Sequence, residues 1–202
     1  MASATPVSLR QSPPEFGSLT MRTTFLFMLA AAVSYGCATT STPSADREIS
    51  LAQGALHSND PELALLRLQK ARDYYRGPEP EYLTLLMAEA QLKASRPAEA
   101  LSLAGEVLET DGAHSGANEV AGKALVRLLR YEDAQQRFLA AQGAYSADEP
   151  GYQRIEDLLN FARGLNAYSH ADPEVAKRYW AGIQDPQIRY ALDQAVRSAA
   201  SQ

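Results

Sequence analysis

Three alanines in one phase constrain this chain more than any other feature. Ala64, Ala100 and Ala134 each stand fourth in a short segment that opens the second helix of a hairpin: Pro61-Glu62-Leu63-Ala64, Pro97-Ala98-Glu99-Ala100 and Tyr131-Glu132-Asp133-Ala134. The last two alanines are 34 residues apart. A fixed period of this size with small side chains in register marks a stack of helical hairpins, because only small side chains let neighbouring helices approach closely. The question such an array raises is which partner it holds rather than which reaction it runs.

Composition supports the same fold class. The chain is 46% apolar and 21% charged, which is globular rather than disordered. Ala, Leu, Glu, Gln and Arg dominate, and almost no β-branched run alternates with period two, so strands have little support. The stretch from Asp46 to Gln202 is long enough for one domain that buries roughly 70% of its unfolded-chain surface. A net charge of −5 leaves no basic stripe, so nucleic acid is not an expected partner.

The N-terminal part has a different character. Residues 1–20, with Pro6, Pro13 and Pro14 and no apolar periodicity, are expected to be a disordered extension. Met21-Arg22-Thr23-Thr24 then leads into an apolar run from Phe25 to Val33, followed by Ser34-Tyr35-Gly36-Cys37. A basic start, a short apolar core and small residues at its end are the parts of a secretory signal over 21–36. The run is shorter than the roughly 20 apolar residues a bilayer span requires. Because Met21 stands directly before this signal, it is the expected biological start.

Cys37 is the only cysteine, which rules out an intramolecular disulfide. Its place after the apolar run resembles the lipobox of bacterial lipoproteins, in which the cysteine thiol carries a diacylglyceryl group and becomes the mature N-terminus. Gly36 fits that pattern; Ser34 and the bulky Tyr35 depart from its usual Leu and Ala or Ser. Ser34-Tyr35-Gly36 also suits ordinary signal peptidase, and an incidental cysteine is a third reading. The lipoprotein resemblance, with Ala38 rather than Asp after the cysteine, implies an outer-membrane anchor. Residues 37–45 are then a flexible tether.

From residue 46 the register alanines organise the chain. Ala52, Ala88 and Gly122 each precede their register alanine by twelve residues. Ala71, Val107 and Ala141 each follow by seven, and Phe138 follows Ala134 by four. These offsets resemble the tetratricopeptide repeat (TPR), whose pattern asks for small, small, aromatic and Ala at those places. Leu68 and Ala104 replace the aromatic in the first two units, and Arg76, Gly112 and Ser146 replace the closing proline. A fourth unit around Ala176, with Gly164 twelve before and Trp180 four after, is out of step because Ala134 and Ala176 are 42 residues apart. The eight additional residues are expected to lengthen the connection around Tyr145 to Tyr152. The resemblance implies an all-α, right-handed superhelical solenoid of antiparallel helix hairpins over 46–202 with a C-terminal capping helix.

Asp60-Pro61, Asp172-Pro173 and Asp185-Pro186 put a capping carboxylate before a proline in the first helical turn, where the missing N–H is harmless. Gly112 and Gly77 are expected to stop helices in the left-handed conformation. Helices are expected near 46–57, 61–75, 80–94, 97–109, 115–129, 131–143, 151–169, 173–183 and 186–199. In the last, Ile188, Ala191, Leu192 and Ala195 are expected to cover the final hairpin, with Arg189, Asp193 and Arg197 facing water.

No nucleophile elbow, Walker loop or dinucleotide fingerprint occurs, and His57, His114 and His170 have no second ligand at metal spacing. No cofactor, metal or catalytic residue is therefore expected. A stacked array does expose a concave face built from the first helix of each hairpin. On it the register places Gln53 and Leu56; Tyr82, Leu85, Glu89 and Lys93; Glu119, Lys123 and Arg127; and Leu158, Phe161, Leu165 and Tyr168. Ile49 and Gln53 stand where the chaperone-tail type of TPR uses Lys and Asn, so that recognition is not expected.

The resemblance implies a non-enzymatic scaffold or assembly factor on the periplasmic face of the outer membrane, lipid-anchored at Cys37 and binding a protein or peptide partner of the envelope. Its alternatives are a soluble periplasmic protein, a cytoplasmic TPR adaptor, and a hydrolase using acidic residues such as Glu156 or Asp157 near the insertion.

Overall fold

The computed structural model describes residues 43–200, and side chains over 44–197. The chain divides into two units, 1–38 and 39–202, and the described residues all belong to the second. The expected extension, signal and lipid-bearing Cys37 lie outside the described residues.

The described residues form nine helices and no strand: α1 (Pro43–His57), α2 (Pro61–Asp73), α3 (Glu81–Lys93), α4 (Pro97–Thr110), α5 (Ser115–Arg127), α6 (Tyr131–Gln142), α7 (Pro150–Ser169), α8 (Pro173–Ala181) and α9 (Pro186–Ala200). The first eight pair as hairpins α1/α2, α3/α4, α5/α6 and α7/α8, and each hairpin packs on the next. That neighbour-to-neighbour packing is what makes a solenoid. α1 begins at Pro43 rather than Asp46, so residues 43–45 of the expected tether are helical, and Ala45 is fully buried.

Within every hairpin one contact repeats. A small residue on the first helix shares the core with a larger or equal one sixteen positions later on the second: Ala52 with Leu68, Ala88 with Ala104, Gly122 with Phe138, Gly164 with Trp180. All but Trp180 are fully or almost fully buried. The aromatic units take glycine because there is no room for more. A Cβ on Gly122 would stand 2.5 Å from the Phe138 ring, and one on Gly164 would stand 1.9 Å from Trp180 Nε1.

The eight additional residues of the fourth unit lengthen the connection, which runs over 143–149 against 111–114 in the unit before, but most of them go into helix. Gly122 stands seven residues into α5, whereas Gly164 stands fourteen into α7, so seven residues form two further N-terminal turns of α7. Tyr145 packs over Gly151 at the start of those turns, where a Cβ would meet its ring at 2.4 Å.

The helix ends also differ from expectation. Among the described residues no glycine has positive φ; Asn59, Ser95, Leu129 and Ala171 do, at φ between 57° and 61°. Each stands five residues before a register alanine, in the turn inside a hairpin. There the next residue's N–H reaches back to close a six-to-one turn: Asp60 to Ala55 O, Arg96 to Gln91 O, Arg130 to Leu125 O and Asp172 to Ala167 O, at 2.9–3.0 Å. This is a Schellman ending built on non-glycine residues, and hairpin closure imposes it four times. Gly112 is not left-handed because Asp111 leaves α4 in extended conformation and its Oδ1 accepts the Ala113 N–H at 3.0 Å. Asp60 and Asp172 cap α2 and α8 as expected, accepting Leu63 N–H and Val175 N–H, both at 3.1 Å.

Two stability predictions follow from these contacts. Leu129 is 72% exposed, so Leu129→Gly removes left-handed strain with little loss of packing and should stabilise the domain by about 1 kcal/mol in urea unfolding. Gly122→Ala should destabilise by about 1–3 kcal/mol through overpacking. Adding Phe138→Leu reproduces the Ala52/Leu68 pairing and should return part of that loss, giving a favourable coupling in a double-mutant cycle.

Candidate functional site

The inner helices α3, α5 and α7, together with the start of α9, enclose a groove of about 580 Å³. Its apolar floor comes from Leu92, Val120, Val126, Leu158, Phe161, Ile188 and Ala191. Its polar groups are Glu89 and Lys93 on α3, Lys123 and Arg127 on α5, Arg154 on α7, and Asp185 and Gln187 at the start of α9.

Each cation is fixed by a neighbour. Lys93 Nζ donates to Leu56 O at 3.0 Å, and Arg127 Nη1 donates to Leu92 O. Leu56 O and Leu92 O are equivalent acceptors in successive units, each already bonded to the left-handed turn residue Asn59 or Ser95. A cation from the next hairpin thus sits at the negative end of the preceding first helix, where the helix dipole favours it. Glu119 is 6% exposed and its Oε1 receives Lys123 Nζ at 2.5 Å and also Arg154 Nη1. The buried carboxylate ties α5 to the added turns of α7.

Of the residues that the sequence assigns to a partner surface, Glu89, Lys93, Lys123, Arg127, Leu158 and Phe161 come together in this groove. Gln53 and Leu85 are outside it: Gln53 is exposed on α1, and Leu85 is half-buried facing Gly116. Tyr82 is 47% exposed, but its hydroxyl bonds that of Tyr75 at 2.7 Å. Burial, then that bond and the charge on Tyr82, push the Tyr75 phenol well above its usual range. Tyr168 packs against Trp180 with ring centroids 5.9 Å apart. Glu119 lies beneath the cations rather than beside them.

Arg154, Asp185, Gln187 and Ile188 line the groove without having been anticipated. Arg154 had a signal in the sequence, standing one turn before Leu158 on the same helix stripe. The others depend on where α9 lies. α9 covers the final hairpin by packing on α7, with Ile188 and Leu192 joining Leu159, Trp180 and Ile183 in the core as expected, while Ala191 is exposed.

Asp157 holds that arrangement. It is 1% exposed, and its Oδ2 accepts Gln184 N–H at 3.0 Å and Asp185 N–H at 2.7 Å, while Oδ1 accepts Gln153 Nε2 at 3.0 Å. Asp185 in turn accepts the Gln187 N–H at 2.7 Å and so caps α9. Of the two carboxylates named for a hydrolase, Asp157 is thus consumed in positioning backbone. The histidines close helix ends: His57 donates to Gln53 O at 2.7 Å, His170 donates to Asn166 O at 2.8 Å, and His114 Nδ1 accepts Ala117 N–H at 3.3 Å. No group of three His, Cys, Asp or Glu among the described residues could hold a metal ion, and no described helix is long and apolar enough to cross a membrane.

No family model matches the chain, and no curated protein matches it either. Among solved structures it is similar to MamA, a TPR-like protein, with a TM-score of 0.52 and 12% identity over 77% of this chain and 81% of that one. The fold is a TPR-type helical solenoid. At that identity the likeness concerns fold alone.

Asp157→Ala would leave two buried backbone N–H groups without an acceptor, so it should destabilise by about 2–4 kcal/mol. Hydrogen exchange should accelerate first at Gln184, Asp185 and the opening turn of α9.

Proposed function

We propose that this chain is a non-enzymatic scaffold of the bacterial envelope, anchored through Cys37, that holds a protein or peptide partner in the groove along its first helices. The groove carries the reading: three hairpins and the last helix converge on one concavity with an apolar floor and a polar rim. An apolar surface with a few oriented polar groups is the usual form of a binding site. Its walls are helices rather than loops, so it is available without rearrangement. The coincidence of the sole cysteine with the end of an apolar leader supports the anchor, and two acyl chains suffice to hold a protein at a membrane. Tethering would raise the local concentration of a bound partner without a catalytic step. An outer-membrane, periplasm-facing position is the one this reading favours.

Two experiments test it in cells. Metabolic labelling with a fatty-acid analogue should mark the protein, and Cys37→Ser should abolish the label and release the protein from membranes; a label unaffected by that substitution overturns the anchor. A photo-crosslinking residue at position 123, inside the groove, should give discrete adducts, while one at position 139, exposed on α6, should not. Equal adducts from both positions, or none, overturn the groove as the binding face.

A further inference from the structure

The groove has a charge unlike the rest of the chain. Lys93, Lys123, Arg127 and Arg154 line it against Glu89 and Asp185. Even when Glu119 beneath them is included, cations outnumber carboxylates four to three, on a chain whose net charge is −5. Asp185 is further occupied by capping α9, with its Oδ1 2.7 Å from Gln187 N and 3.2 Å from Ile188 N.

The cations retain donors after their internal bonds are made. An ammonium has three N–H groups and a guanidinium five. Lys93 and Arg127 each give a bond to one carbonyl, while Lys123 and Arg154 converge on a single oxygen of Glu119. Their heads are thereby held around an apolar floor formed by Val120, Leu158 and Phe161. Pre-positioned donors lose less conformational freedom on binding than unrestrained side chains would.

We infer that the groove selects an acidic, apolar-bearing segment of a protein partner, whose carboxylates meet Lys93, Lys123, Arg127 and Arg154 while its apolar side chains cover Phe161. This rests on the groove being the binding face and adds the chemistry of what it takes. A basic segment would face a like-charged rim, and opposite rim charge is what steers encounter and rejects wrong partners. Glu119 acts as a positioning residue: it holds Lys123 and Arg154 together and does not itself meet the ligand.

The test uses the processed chain and three synthetic dodecamer probes of equal leucine content, in which the remaining positions are glutamate, lysine or serine. Fluorescence anisotropy should show the Leu/Glu peptide binding about tenfold or more tighter than the Leu/Ser peptide, with that advantage shrinking as salt is raised. The Leu/Lys peptide should bind weakest. The paired reversal Lys123→Glu with Arg154→Glu should invert the order of the acidic and basic peptides, and circular dichroism should check that it folds. Because that variant places new carboxylates near Glu119, Lys93→Glu provides a second reversal away from it, with a smaller shift in the same direction. If the serine or lysine peptide binds best and Phe161→Ser weakens it, the acidic preference is overturned while the groove stands as a binding face. If no peptide binds, both readings are overturned.

Discussion

Everything in this domain depends on how closely two helices of a hairpin can approach. At one position per hairpin the first helix carries Ala or Gly, and the residue sixteen later fills the space this leaves. Where the partner is Leu68 or Ala104, alanine suffices; where it is Phe138 or Trp180, only glycine leaves room. Interiors are packed densely enough that one methyl group matters, so the two sides of each contact change together. Fixing that approach fixes the hairpin, and repeated hairpins necessarily produce an inner face made of first helices.

The inner face then does two things with the same side chains. Lys93 and Arg127 each reach back to the carbonyl end of the preceding first helix, so they join successive hairpins as well as line the groove. Glu119 joins α5 to α7 in a similar way through Lys123 and Arg154. Partial burial makes these ties more consequential than exposed ion pairs such as Arg130–Asp133 at 2.7 Å, which contribute little to stability. Groove lining and stacking are therefore not separable, and any occupant would be read by groups already committed to holding the array together.

Much of this was legible in the sequence because the repeat signal is local. The alanine phase and the Asp-Pro caps locate every helix to within three residues, and the register puts Lys93, Lys123, Arg127 and Phe161 on the inner face. What escaped depends on tertiary closure. Nothing in Asn59, Ser95, Leu129 or Ala171 advertises a shared left-handed turn, since three of those residue types ordinarily avoid it; the geometry of the closed hairpin imposes it. Glu119 reads as a surface acid until Arg154, 35 residues away, is brought beside it. Asp157 reads as a catalytic candidate until the turn into α9 is seen to hang from it.

The two added turns of α7 have a consequence for what lengths of insertion this solenoid can absorb. Seven residues advance a helix of 3.6 residues per turn by nearly two whole revolutions, a mismatch of about 20°. The azimuth of the helix is therefore almost unchanged, and Arg154 emerges on the same side as Leu158 and Phe161. An insertion of five residues would rotate that end by roughly 140° and carry the guanidinium to the outside. Lengthening α7 by a near-integral number of revolutions is thus what keeps its added groups on the inner wall.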